Sequence, residues 1–263
     1  MNTKRFTQQQ MKNFAEESIK KIINAEKEKE YFLSPFKHLV IDNFLSLELA
    51  KSCLDDFPNP KEKQWDIAND KDIEIKQRST WKSEFDIPDG IVDTIRLFNS
   101  SDMLYALAEL FEIPKLVPDP YFTGGGLNIT MPGGLLDVHV DGNYHDATGL
   151  NRRMNVILYL NPNWQKGWGG EFGIYDENGD KCVKRVEPLF NRLVAFDTHD
   201  KSYHGLPDPL NFPEGEYRKS IILYYYTKAP RDEANDIIKE PHRALWKKHD
   251  FTDKDRNLTR KYY

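Results

Sequence analysis

Between Tyr121 and Thr227 the chain breaks into short apolar runs, each stopped within a few residues by Gly, Pro, Asn or Asp. This punctuation is the mark of strands joined by tight turns, and it predicts an antiparallel sandwich or barrel. Strands are expected near 126–130, 135–140, 153–160, 171–175, 181–186, 192–196, 202–205 and 218–227. Eight strands suit a jelly roll.

The flanks read differently. From Thr7 to Phe32 a Gln-, Lys- and Glu-rich stretch carries Met11, Phe14, Ile19, Ile22 and Ile23 near helical spacing, predicting an amphipathic helix. A short strand is expected at 38–41, and Ser46 with Glu48 opens a helix through about Leu54. The Pro-punctuated stretch 58–72 reads as loop and 77–85 as strand. Pro88-Asp89-Gly90 is turn chemistry, and helices follow at 91–98 and 102–111, with Asp102 near the start of the second. Beyond Pro230 the charged tail predicts short helices over 233–239 and 242–248, packed on the sheet. The chain of 263 residues is long enough for one large core. One domain is expected, mainly β with flanking helices in an α+β arrangement: a helical support region over 1–120, the core over 121–227 and a helical tail over 228–263.

A net charge of −5 does not supply the basic field that phosphate backbones require, so a nucleic-acid partner is not expected. No apolar stretch approaches a membrane span, and the basic N-terminal residues lead into no apolar signal segment. Cys53 and Cys182 stand apart in unlike contexts and read as isolated thiols of a reducing cytoplasm.

The chemistry is concentrated in a few polar residues of the β region. In a strand, positions i and i+2 face one side, so His139 and Asp141 can reach one metal while Val138 and Val140 pack behind. His204 lies 63 residues beyond Asp141 in Ser202-Tyr203-His204-Gly205, and the return of jelly-roll strands can bring it into contact. Two imidazoles and one carboxylate form the facial donor set of a non-haem iron(II) centre with open positions. His145 and His199 are rival ligands on loop-like segments. Arg218 and Ser220 open the run 221–226 on a shared face, offering a planar fork and a hydroxyl to an anion. Pro207, Pro209, Pro213 and Gly215 separate this run from His204, and the two strands are expected to be antiparallel neighbours.

The order of His139-x-Asp141, the segment Asn155 to Asn161, Gly169-Gly170-Glu171, His204-Gly205 and Arg218-x-Ser220 resembles the iron(II)- and 2-oxoglutarate-dependent oxygenases, in their prolyl 4-hydroxylase-like branch. The resemblance covers roughly 121–227 and implies a double-stranded β-helix. It implies iron on His139, Asp141 and His204, and the distal 2-oxoglutarate carboxylate on Arg218 and Ser220. Tyr159, Asn155 and Asn128 are further candidates for the cosubstrate, with core or hydrogen-bonding roles open for Tyr159 and Asn155. Fe(II), 2-oxoglutarate and O2 are the implied cofactors, and ascorbate is left open as an addition. The implied reaction hydroxylates an unactivated C–H bond and releases succinate and CO2. A prolyl or other amino-acid residue, peptidyl or free, is the first substrate class; a small metabolite or nucleotide sugar is the second. Collagen-type prolyl hydroxylases use Lys for the carboxylate, so Arg218 departs from that pattern. Asp141 argues against halogenation, because related halogenases lack that carboxylate. A non-catalytic cupin-like binding protein is the alternative from another class, and Arg218 separates the two, since a simple metal binder needs no buried carboxylate anchor. Oligomeric state is not legible.

Overall fold

Local chemistry sets the first helix of the computed structural model, which describes residues 5–62, 65–70, 73–81, 83–122, 125–231 and 240–247. Thr7 and Gln10 form a reciprocal capping box at the start of α1 (Gln8–Asn24), with Met11, Phe14 and Ile22 buried. The predicted helix to Phe32 is therefore too long, and Ile23 of the expected apolar face is 70% exposed. Residues 26–30 are all Glu or Lys, with nothing to bury, and Lys29 turns the chain at φ 61°. The chain then enters β1 (Tyr31–Phe32), paired with β2 (His38–Ile41). Ser46 caps α2 (Leu47–Asp55) as expected. The loop expected over 58–72 contains a strand: β3 (Trp65–Asp70) pairs along its length with β4 (Glu74–Ser79). Helices α3 (Asp89–Phe98) and α4 (Ser101–Phe111) fall where predicted, the second capped by Ser100.

The remaining strands are β5 (Val117–Pro118), β6 (Gly126–Thr130), β7 (Leu135–Val140), β8 (Asn151–Tyr159) and β9 (Phe172–Tyr175). They continue with β10 (Cys182–Val186), β11 (Arg192–Asp197), β12 (His204–Leu206), β13 (Arg218–Thr227) and β14 (Leu245–Trp246). Among the described residues they form one curled antiparallel sheet in the order β1-β2-β11-β8-β13-β6-β4-β7-β12-β9-β10, with β14 beside β7, β3 beside β4 and β5 beside β13. The region before residue 120 is thus not only helical support. It supplies β2 to one flank of the sheet, and β4 links β6 to β7 where the sheet folds over. The tail differs too: the expected helix at 242–248 is replaced by β14, while that at 233–239 lies outside the described residues.

The strand of His204 does not adjoin that of Arg218. β12 pairs with β7 and β9, whereas β13 pairs with β5, β6 and β8. The Pro-rich connection crosses from one half of the curled sheet to the other, and Leu210 and Phe212 pack with Leu206 on the way. Two cores result. On the outer face, Leu158, Leu193 and Leu223 pack with residues of α1 to α4 such as Leu49, Ile95 and Leu107. Between the halves, Ile157 and Tyr159 meet Phe172, Ile174, Val194 and Phe196. Burying each such side chain contributes about 1.5–3 kcal/mol, and the inner cluster forms a rigid wall beside the site.

Candidate metal centre

His139 lies near the end of β7 and Asp141 just past it, while His204 starts β12 directly opposite His139 in the ladder. One ligand atom from each residue falls within 4.8 Å of the others, and no other group of three or more His, Cys, Asp or Glu side chains is so placed among the described residues. His139 Nε2 is 3.7 Å from Asp141 Oδ1 and His204 Nε2 is 3.4 Å from Oδ2. Each histidine directs Nδ1 at a backbone carbonyl two residues earlier, Asp137 O at 2.8 Å and Ser202 O at 2.9 Å. An Nδ1–H donated there leaves the Nε2 lone pair facing the cluster.

Burial pushes the Asp141 carboxyl up, but the charges of His204, His139 and Arg152 and the hydrogen bond with His139 outweigh it and hold it well below the usual carboxylate range. Arg152 Nη1 lies 3.5 Å from Asp141 Oδ1, its guanidinium 3.9 Å above the Tyr224 ring. Asn155 Nδ2 donates to Asp141 Oδ2 at 2.5 Å. Burial, with the neighbouring His139 charge, lowers His204 to about 4, so the imidazole is neutral and free to ligate.

The same cavity is lined by the three residues together with Lys76, Asn155, Arg218 and Tyr224. Arg218 is 5% exposed; its Nε donates to Gly170 O at 2.8 Å and its Nη2 to the Tyr159 hydroxyl at 3.1 Å. Gly170 has φ 81°, and a Cβ there would come within 3.0 Å of Arg218 Cδ, so the guanidinium seat requires glycine. Ser220 sits between Asn128 and Tyr159 across the ladder. Ser220 Oγ, Asn128 Oδ1 and Asn155 Oδ1 are buried without a hydrogen-bond partner. Orphaned polar atoms of this kind cost about 1–3 kcal/mol each; of the three, the Ser220 hydroxyl can donate to an anion held by Arg218, whereas the two amide oxygens only accept.

The rival histidines are elsewhere. His145 Nε2 is engaged by Asp119 Oδ1 at 2.9 Å, and its Nδ1 accepts from the amides of Ala147 and Thr148. His199 Nδ1 accepts from Lys201 N. Asn155, a candidate for the cosubstrate or for a core or hydrogen-bonding role, donates to Asp141 Oδ2 and lines the same cavity as Arg218. Sequence reasoning passed over Arg152, Lys76 and Trp246. Only for Arg152 was a signal present: a basic residue before a buried strand, facing the Tyr-rich end of β13.

Residues 125–226 match the family described as the 2OG-Fe(II) oxygenase superfamily. The chain is 32% identical over 106 residues to Prolyl 3-hydroxylase OGFOD1 of Xenopus laevis, which covers 37% of this chain and 20% of that protein. It is 33% identical over 97 residues to Prolyl hydroxylase EGLN3 of Mus musculus, covering 36% of each. A solved structure of a Trichoplax adhaerens prolyl hydroxylase, in complex with a hypoxia inducible factor oxygen degradation domain peptide, superposes with a TM-score of 0.57 at 16% identity. It covers 83% of this chain and 91% of that one, and shows the shared fold. The shared fold is a double-stranded β-helix, and residues 125–226 carry the similarity to the 2OG-Fe(II) oxygenase superfamily. Over the matched segments the sequence is similar to prolyl hydroxylases. The chain spans only 20% and 36% of the two relatives' lengths.

Proposed function

We propose that the protein is an Fe(II)- and 2-oxoglutarate-dependent dioxygenase that hydroxylates a prolyl or other amino-acid residue of a peptide, with release of succinate and CO2. The observation that carries this reading is the pairing, in one cavity, of the His139, Asp141 and His204 donors with the buried Arg218 cation. A non-catalytic metal binder has no use for the second half of that pair. The peptidyl substrate class rests on the relatives, which are named prolyl hydroxylases.

Bound Fe(II) with 2-oxoglutarate and O2 would supply oxidative decarboxylation coupled to C–H hydroxylation. His204 presents a neutral Nε2 donor, His139 directs its Nε2 at the same point, and Asp141 presents an anion already ionised before metal arrives. Asn155 holds Asp141 Oδ2, while Oδ1 lies between His139 Nε2 at 3.7 Å and Arg152 Nη1 at 3.5 Å. Arg218 would take the distal carboxylate of 2-oxoglutarate, and the unpaired Ser220 hydroxyl can donate a hydrogen bond beside it. Burial raises the Tyr159 hydroxyl against the opposing effect of Arg218, so it keeps its proton; it accepts from Arg218 and can donate that proton to the same carboxylate. Phe172, Ile157 and Ile222 line the cavity with apolar surface that limits water.

Anaerobic addition of Fe(II) and 2-oxoglutarate is expected to give the weak visible charge-transfer band of chelated 2-oxoglutarate, absent in His139→Ala. Succinate release on admitting O2 should rise with proline-containing peptides. No band in the folded wild-type protein would sink the oxygenase reading, and a band without proline-dependent turnover would move the substrate to a metabolite.

A further inference from the structure

The two ligand histidines are held by unequal means. His204 is enclosed by Phe172 and Phe196, with ring centroids at 5.3 and 4.7 Å, and both phenylalanines belong to the inner core. His139 has His204 at 4.4 Å as one aromatic neighbour, and the other described one is Trp246 at 4.5 Å, with ring planes 30° apart. Trp246 comes from the tail, 107 positions further along the chain. We propose, on the reading of the site given above, that residues 240–247 form a positioning strap for the metal ligands, in which Trp246 fixes the ring plane of His139.

The hydrogen bond from Nδ1 to Asp137 O fixes the direction of the His139 ring within its plane. It leaves rotation about that axis to be limited by what lies on the two faces. Strand pairing delivers the indole to one of them: Leu245 is opposite Val140, Trp246 is opposite His139, and Lys247 N donates to Val138 O at 2.9 Å. The strap also holds both loops that carry the other ligands. Beyond Asp141, Asn143 N donates to His242 O, His242 N donates to Asn143 Oδ1 at 2.9 Å, and Asn143 Nδ2 donates to Glu240 O at 3.0 Å. Before His204, Asp200 Oδ1 meets the buried His242 Nε2 at 2.9 Å. Gly142, next to Asp141, lies so close beneath that a Cβ would sit 2.8 Å from His242 O. A segment that touches the neighbourhood of all three ligands, and no part of the outer core, acts on the geometry of the centre.

The test is Co(II) titration of the full chain, read by its visible ligand-field bands, with far-ultraviolet dichroism of the metal-free protein as the control for folding. Trp246→Ala is expected to weaken Co(II) binding about tenfold or more, the range for groups that orient metal ligands, and to shift the bands. Trp246→Phe, which keeps a ring against His139, should return affinity to within about threefold of wild type. If the alanine variant does not fold, Trp246→Leu replaces it and should remain weaker than Trp246→Phe. Wild-type affinity and bands in the alanine variant, or equal impairment by Phe and by the aliphatic residue, overturn the strap. No Co(II) binding by the wild-type chain overturns the metal site and the strap with it, whereas binding unchanged by these substitutions overturns the strap alone.

Discussion

Asp141 shows how much of a site can depend on groups distant in sequence. Its spacing from His139 was visible in the chain, and so was the spacing of Arg218 and Ser220 on one strand face. Which partners hold its charge was not, because Arg152 and Asn155 reach it only after β8 folds over the end of β7. Arg218 is the residue whose role is most sharply testable. Arg218→Lys keeps the charge but loses the planar fork that engages Gly170 and Tyr159 together. With about 1.5–3 kcal/mol for a charge-assisted hydrogen bond, the KM for 2-oxoglutarate in succinate release should rise roughly tenfold in the lysine variant and about a hundredfold in Arg218→Ala. The kcat at saturation should fall less. An unchanged KM in both would remove Arg218 from the cosubstrate site.

At the level of elements, strands with apolar patterns were legible and the β3–β4 hairpin was only half so. β3 is half-buried at best, and Ile67 is 64% exposed. Its strand character comes from pairing with β4, which periodicity cannot report. The placement of β12 failed for a related reason: period and punctuation locate strands but do not say on which half of a curled sheet each one lands. What locks elements together is often a single polar side chain. Buried Asn191 receives Leu45 N on Oδ1 and donates Nδ2 to Leu45 O, both at 2.9 Å, tying the approach to α2 to the start of β11. Asn191→Ala leaves both Leu45 groups unpaired, and a loss of about 2 kcal/mol is expected in denaturant unfolding. A change below about 0.5 kcal/mol would mean that water replaces both bonds.

For the molecule as a whole, buried histidines set the response to acid. Burial, reinforced by the charge of Lys184, lowers His38 to about 4, and burial with His139 lowers His204 to the same range. In the unfolded chain both bind protons near pH ~6.5. As the pH falls, the unfolded state gains protons that the folded state refuses. Their contribution is present above about pH 6.5 and is lost towards pH 4. Thermal unfolding of the metal-free protein should occur several degrees lower at pH 5 than at pH 7.5, with each histidine contributing on the order of 2 kcal/mol. A flat profile would mean that these rings take up protons without leaving their places.

The bridging strand β4 has a consequence for synthesis. β3 occupies one edge of β4, and along the other edge Glu74 and Ile75 pair with β7 and Gln77 and Arg78 with β6; β4 leaves the ribosome before either of these two. It can shield the first part of β7 as soon as that strand emerges. The half bearing His139 has no such cover: its neighbours β12 and β14 are made only later. Until then the nascent chain carries the ligand strand as an open edge, the kind of template that invites pairing with another chain.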